Sequence, residues 1–217
     1  LKEVFEEEGI TVSGLPLDCD DLYLWNHKPN DFNLISLHAS PPLKDILSGL
    51  MKRSQNMYAE TMVRVLGWKE HGLGSFRNGK NVVESVLKNN FEIEPETYAF
   101  MDGSGLSRYN YVSPEQLVKI MEGMRKHKYS KIWKDILPVA GIDGTLKNRM
   151  KGTSAEGNVY AKTGTISNVR GLSGYVTTSD GEELVFSFLV NGHLLSSKET
   201  EEITDSVLEM IASFSKE

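Results

Sequence analysis

The segment Ala161-Lys162-Thr163-Gly164-Thr165 places a cation between an apolar strand-like run and a glycine. A lysine at the edge of a cleft is a compact positive point, and the flanking hydroxyls of Thr163 and Thr165 add donors beside it, a combination suited to a carboxylate. Gly164 leaves room for a substrate backbone and for a main-chain N–H aimed at a developing oxyanion. A second segment, Ser54-Gln55-Asn56, offers a hydroxyl that can take and pass a proton and, two residues on, an amide that can hold a substrate amide. A third, Asp102-Gly103-Ser104-Gly105-Leu106-Ser107, is rich in turn formers. Each has a bland reading as well: a surface strand and tight turn, a helix cap, and an ordinary loop. Together they say more. Ser-x-Asn followed 108 positions later by Lys-Thr-Gly makes two parts of a three-part serine acyl-transfer signature, of which the third is Ser-x-x-Lys.

The bulk composition fits a globular chain of this kind. With 217 residues, 39% of them hydrophobic and 25% charged, the sequence has enough apolar material for one large core or two small ones. A net charge of -6 gives no basic field for a polyanion, so nucleic acid is not an expected partner and an anionic ligand needs a local site. One cysteine, Cys19, and five scattered histidines show no metal-ligand spacing, and neither metal nor cofactor is expected. No apolar run approaches the ~20 residues of a membrane span, and no signal peptide is visible.

The elements that must position these segments are legible from periodicity. Leu1 to Glu8 reads as the last turns of a helix, and Gly9 to Gly14 as a short β-branched strand; the chain to Asn33 reads as loop and Phe32 to His38 as extended. Pro41 and Pro42 open a helix with Leu43, Ile46, Leu47 and Leu50 on one side, ending near Ser54. A second follows, with Tyr58, Met62, Val65 and Leu66 as its inward face and Gly67, Gly72 and Gly74 at its end. A third covers Asn78 to Asn90, with Val82, Val83, Val86 and Leu87 inward. Ser113-Pro114-Glu115-Gln116 predicts a capping box, ahead of a buried stripe of Leu117, Ile120, Met121 and Met124. Leu172 to Thr178 and Glu183 to Asn191 predict a hairpin through Ser179-Asp180-Gly181, the second strand apolar enough to be central. A last helix, Ser197 to Phe214, presents Ile203, Val207, Met210, Ile211 and Phe214. Arg170 reads as a solvated loop residue, with a contact to substrate as the alternative.

Set in order, these segments resemble the C-terminal part of the penicillin-binding D-alanyl-D-alanine carboxypeptidases of the peptidase S13 (DacB) family. The resemblance runs from about Gly9 to Gly192. It rests on His38-Ala39-Ser40-Pro41-Pro42-Leu43, Ser54-Gln55-Asn56 with Met57 to Glu60, Asp102 to Arg108, Gly144-Thr145-Leu146, Lys151-Gly152-Thr153, Ala161 to Thr165 and Leu172-Ser173-Gly174-Tyr175. It implies an α/β fold of the α+β type: part of a β-lactamase/transpeptidase-like domain, with an antiparallel sheet flanked by helices and with its N-terminal strands and nucleophile helix missing. Residues 1–217 would be the C-terminal portion of the catalytic domain, with residues 1–35 as a return segment from an inserted domain. Implied partners are peptidoglycan stem peptides ending in D-Ala-D-Ala and β-lactam antibiotics, in the bacterial periplasm or cell envelope. The resemblance also implies roles: Ser54 relays a proton to the leaving amine, Asn56 holds the substrate amide, Lys162 with Thr163 and Thr165 binds the terminal carboxylate, and the Thr165 N–H completes an oxyanion hole beside Gly164.

The attacking serine is the missing part. Upstream of Ser54 no Ser-x-x-Lys occurs: Ser48 has Lys52 four positions on, and Ser13, Ser36 and Ser40 have no lysine three positions on. The one literal match, Ser85-Val86-Leu87-Lys88, lies downstream, on a helix whose apolar face leaves Ser85 and Lys88 toward solvent. The expectation is therefore a fragment with no nucleophile of its own, marginally stable, poor at binding penicillin and exposing a sheet edge. The alternatives are a non-catalytic module that binds peptidoglycan or penicillin, and a β-lactamase or esterase on the same scaffold.

Overall fold

In the computed structural model, residues 2–13 and 36–216 are described. The chain divides into two units, Leu1–Ser40 and Pro41–Glu217. In the first, α1 (Lys2–Glu7) carries no buried residue. It ends in a Schellman motif: Gly9 takes φ +77°, its N–H donates to Glu6 O and the Ile10 N–H donates to Phe5 O. That cap turns the chain where a strand was expected, and Gly9–Ser13 forms none. Gly14, the loop to Asn33 and Phe32 to Ile35 lie outside the described residues, while Ser36 to His38 has no regular structure.

The second unit opens on helices whose ends follow local chemistry. α2 (Leu43–Arg53) stops where Ser54 adopts a left-handed conformation. After one extended residue, Gln55, α3 (Asn56–His71) begins; it runs past Gly67 and ends at left-handed Gly72. Ser75 caps α4 (Phe76–Phe91) by accepting from the Asn78 N–H. The expected inward face of α3 is rotated. Tyr58, Val65 and Leu66 are exposed, and Val63 and Gly67 are the buried residues. The reason is the crossing with α4: a Cβ on Gly79 would stand 1.9 Å from Val63 O, and one on Gly67 would stand 2.7 Å from Gly79 N. Backbone against backbone is possible only along the glycine-bearing stripes, which outweighs the larger apolar side chains. Val86 of α4, expected inward, is likewise exposed.

α5 (Pro114–Lys126) starts with the predicted capping box, Ser113 and Gln116 each bonding the other's backbone N–H, and buries Met121. α6 (Ser130–Ile136) follows. Three antiparallel strands complete the unit in the order β1 (Tyr160–Ile166), β2 (Val169–Thr177), β3 (Glu183–Asn191), closed by α7 (Ser197–Ser213). β2 is the middle strand, so β3, expected to be central, is an edge among the described residues.

The pleat sorts the two sheet faces. Ala161, Leu172, Val176 and Phe186 pack on Leu208 and Ala212 of α7, on Leu146 of a short 3₁₀ turn (Gly144–Leu146) and on Met150 and Val159 of the loop that follows it. Tyr175 on the other face packs on Met121 and Leu137, with Met51, Trp133, Tyr160 and Val185 around it. Its hydroxyl donates to Met121 O at 2.6 Å and accepts from Trp133 Nε1 at 2.9 Å, and burial pushes its pKa up to about 12.

α7 also differs from its expected face. Ile203, Val207, Met210 and Phe214 are exposed, while Thr200, Thr204, Leu208 and Ala212 are buried, with Ile211 packed beside them. Polar contacts set this rotation. Arg149 grips Asp205 with a bond of 2.6 Å and Thr204 Oγ1 at 3.0 Å, which holds buried Thr204 and its neighbour against the loop that carries Arg149.

Candidate active site

The end of α2, the start of α3, the Asp102 loop and β1 surround a groove of about 740 Å³. Ser54, Asn56, Lys162, Thr163, Gly164 and Thr165, all six site residues singled out in the sequence, line it. Lys162 shares its sheet face with Tyr160, across the register from Ser173 and Ser187, and so points toward the helices that carry Ser54. Its Nζ donates to Ser54 Oγ at 2.8 Å and to Thr163 O at 2.7 Å. Burial holds the ammonium down at about 8, because removing the cation from water disfavours its charged form. Asp102 is the one Asp or Glu in the lining among the described residues. The Asn56 amide makes no side-chain hydrogen bond among the described residues.

Ser54 reaches Lys162 because of where α2 stops. With φ 53° and ψ 54°, Ser54 occupies a region that costs an L-residue roughly 1–2 kcal/mol, and the turn brings its exposed hydroxyl to the groove. The Ser54 N–H donates to Leu50 O, as does the Gln55 N–H at 3.0 Å, so both turn N–H groups are tied to the last turn of the helix.

The strand geometry also fixes which backbone groups face the groove. Ala161 N–H donates away from β2, to Pro138 O at 3.0 Å. Successive residues of an antiparallel strand alternate in direction, so the N–H and C=O of Thr163 and Thr165 point to the same open side. The bond from Lys162 Nζ to Thr163 O agrees with this. A Cβ on Gly164 would meet only Gly171 backbone atoms at 3.9 Å. Among the described residues no neighbour requires a glycine there, and its side-chain direction is that of Lys162, toward the groove.

The Asp102 loop forms a rigid opposite wall. Asp102 Oδ1 accepts from Gly105 N at 2.6 Å and Asn110 Nδ2 at 3.1 Å, and Oδ2 accepts from Ser107 N at 2.6 Å. Glu60 Oε1 accepts from Ser104 N at 3.0 Å, tying the loop to α3. Gly103 allows this approach, since a Cβ there would stand 2.8 Å from Ala59 O. Asp102 therefore builds the wall, with both oxygens taken.

Two supporting groups were not assigned roles from the sequence. Thr145 lines the groove and accepts from Thr163 Oγ1 at 2.8 Å, and the adjoining Asp143 is held by Lys52, which bonds it at 2.6 Å and Leu137 O at 2.9 Å. The Lys52 ammonium is half-buried at the end of α2, and a cation there needs a carboxylate or carbonyl partner. Arg170 is not a loop residue. It lies in β2 opposite Thr165, and its guanidinium bonds Ile166 O, Val169 O and Ser197 Oγ, joining the β1–β2 turn to the start of α7. Ser85 and Lys88, the literal Ser-x-x-Lys match, are exposed as expected: Ser85 accepts from Asn89 and Lys88 pairs with Glu94 at 2.8 Å. Among the described residues no group of three or more His, Cys, Asp or Glu could hold a metal ion.

Comparison with known proteins bears on this geometry. The family model described as "D-Ala-D-Ala carboxypeptidase 3 (S13) family" matches residues 1–214. The D-alanyl-D-alanine carboxypeptidase of Actinomadura sp. (strain R39) is 38% identical over 203 residues, which cover 88% of this chain and 36% of that protein. The D-alanyl-D-alanine carboxypeptidase DacB of Haemophilus influenzae is 32% identical over 182 residues, 82% of this chain and 38% of that one. The crystal structure of that protein, penicillin-binding protein 4, superposes with a TM-score of 0.74 at 29% identity, covering 82% of this chain and 41% of the other. An extended-spectrum β-lactamase superposes at 17% identity with a TM-score of 0.57, a likeness of fold. The chain thus spans well under half the length of these carboxypeptidase relatives.

Proposed function

The chain belongs to the D-Ala-D-Ala carboxypeptidase 3 (S13) family, and from that premise we propose that it supplies the substrate-binding and proton-relay half of a serine acyl-transfer site. The observation that carries this reading is the 2.8 Å contact between Lys162 Nζ and Ser54 Oγ, made across 108 residues inside a groove. The ligand is a peptide ending in D-Ala-D-Ala, as in peptidoglycan stems of the bacterial cell envelope. A β-lactam takes the same place; the H. influenzae relative has been crystallised with one.

In this proposal the terminal carboxylate sits on the Lys162 ammonium and the hydroxyls of Thr163 and Thr165, in charge-assisted bonds. Seated there, the peptide presents its penultimate carbonyl to the outward Thr165 N–H, which stabilises charge as the oxyanion develops. Asn56 holds the substrate amide, and Gly164 leaves the strand surface free for the peptide backbone. The attacking serine belongs to a Ser-x-x-Lys segment outside these 217 residues, which in this reading are the C-terminal portion of a longer catalytic domain. That serine bonds to the carbonyl carbon, the C–N bond to D-alanine breaks, and Ser54 delivers the proton that the departing amine needs. Both carboxypeptidase and endopeptidase work are compatible with this chemistry.

A module that binds the same carboxylate without turnover uses the same groove, whose lining among the described residues holds Ser54, Asn56 and Lys162 and no Ser-x-x-Lys segment. Fluorescent penicillin separates the two readings. A longer chain that includes Ser-x-x-Lys labels rapidly and stoichiometrically, whereas the 217-residue chain does not. Rapid labelling of the 217-residue chain, or none of the longer one, contradicts the proposal.

A further inference from the structure

The pair that anchors the proposed site has a second capacity. Ser54 Oγ and Lys162 Nζ lie at 2.8 Å, within the reach required of a nucleophile and its base. We propose that Ser54 and Lys162 are a nucleophile and general base in their own right, making the 217-residue chain a slow acyl acceptor, and so a weak esterase, toward activated esters that carry no carboxylate.

Four features of the structure support it. Ser54 is presented on a left-handed turn between two helices, exposed at the groove, the kind of sparsely populated backbone that persists where a side chain must be aimed. Among the described residues Lys162 Nζ pairs with no carboxylate: its second contact is the Thr163 carbonyl, which orients the nitrogen without adding a negative charge. Asp102, the one Asp or Glu of the lining among the described residues, has both oxygens engaged by Gly105, Ser107 and Asn110. The outward N–H groups of Thr163 and Thr165 lie along one edge of β1 and have no backbone acceptor among the described residues, a disposition that suits an oxyanion. The burial that lowers the Lys162 pKa adds to this by leaving part of the population uncharged near neutrality.

The step balances without a further reagent. The uncharged Lys162 amine takes the Ser54 hydroxyl proton as Oγ bonds to the ester carbonyl carbon. The tetrahedral oxyanion collapses and the bond to the leaving oxygen breaks; an alkoxide leaving group takes the proton from Lys162, whereas a phenolate leaves without it and Lys162 then releases that proton to water. Hydrolysis of the acyl-serine returns the starting hydroxyl and a carboxylic acid. The restriction to esters without a carboxylate rests on the function proposed above: a bound carboxylate keeps Lys162 protonated and removes the base.

The test is acetylation of the 217-residue chain by 4-nitrophenyl acetate near pH 8, read as a nitrophenolate burst and by peptide mass mapping. One acetyl is expected on Ser54. Ser54→Gly, which suits the left-handed backbone, abolishes it even if Ser54→Ala perturbs folding. Lys162→Met and Lys162→Arg each slow the burst by about 100-fold, the low end for a positioned general base, although arginine keeps the positive charge. Ser85→Ala labels as the parent does. Acetyl groups confined to lysines, Cys19 or other serines, or an unchanged burst in Ser54→Gly, overturn the proposal. That outcome leaves the D-Ala-D-Ala reading standing, since that reading is tested on penicillin and peptide with a separate serine.

Discussion

Replacing Lys162 by methionine keeps most of the aliphatic stem and removes the ammonium, and the structure predicts that the variant is more stable near neutrality. The folded Lys162 pKa is about 8 against an ordinary 10.5, with burial as the cause. Below pH 8 both folded and unfolded chains carry the proton, and the folded state bears the full cost of a desolvated cation. That difference in pKa corresponds to about 3 kcal/mol. Between pH 8 and 10.5 the folded chain sheds its proton while the unfolded chain keeps it, so the unfolded state binds more protons and wild-type stability rises with pH. The variant also loses the bonds to Ser54 Oγ and Thr163 O, about 0.5–1 kcal/mol each where the acceptors turn to groove water instead. The net expectation at pH 7 is a gain of about 1–2 kcal/mol, or roughly 2–8 °C in melting temperature for a chain of this size. Urea unfolding at several pH values between 7 and 10.5 reads it. The gap between variant and parent should shrink as pH rises and vanish or reverse near the top of that window. A variant less stable at pH 7, or a gap indifferent to pH, refutes the reasoning. A stabilised site without its cation would also show that Lys162 is kept for binding rather than for folding.

Two further substitutions separate packing from function. Gly164→Ala meets only Gly171 backbone at 3.9 Å, so its urea midpoint should match the parent within about 0.5 kcal/mol. In a longer protein that labels with penicillin, the same change should slow acylation at least several-fold; normal acylation argues that no substrate backbone lies along β1. Gly79→Ala puts a methyl 1.9 Å from Val63 O and should cost about 3 kcal/mol or more by forcing α3 from α4, measured by the same denaturation.

How much of this was legible depended on whether the signal was local. The capping box at Ser113 and Gln116, the left-handed stop at Gly72 and the hairpin through Asp180 and Gly181 are short-range chemistry, and each appears where the residues put it. Helix faces were misread where tertiary fit overrode hydrophobic weight. On α3 the decisive residues were Gly67 and Val63, because α4 approaches to backbone contact there. On α7 a stripe of two threonines, a leucine and an alanine faces the sheet while Ile203 and Met210 face out. The site residues were legible because their types and order are restrictive, and the fold brings all six to one groove. Lys52, Asp143, Thr145 and Arg170 gave no such pattern: they act by meeting partners 18 to 91 positions away, or by bridging a turn to a helix, and single-sequence spacing does not encode those meetings.

The central claim is that Lys162 anchors the terminal carboxylate of a D-Ala-D-Ala peptide in a site completed by a serine from outside these residues. Its most direct test is D-alanine release from such a peptide by a longer chain that also carries Ser-x-x-Lys, comparing the parent with Lys162→Ala. Loss of a charge-assisted anchor of about 3 kcal/mol predicts a fall in kcat/KM of about two orders of magnitude, with the folded fraction unchanged. Unchanged kinetics in Lys162→Ala contradict the claim.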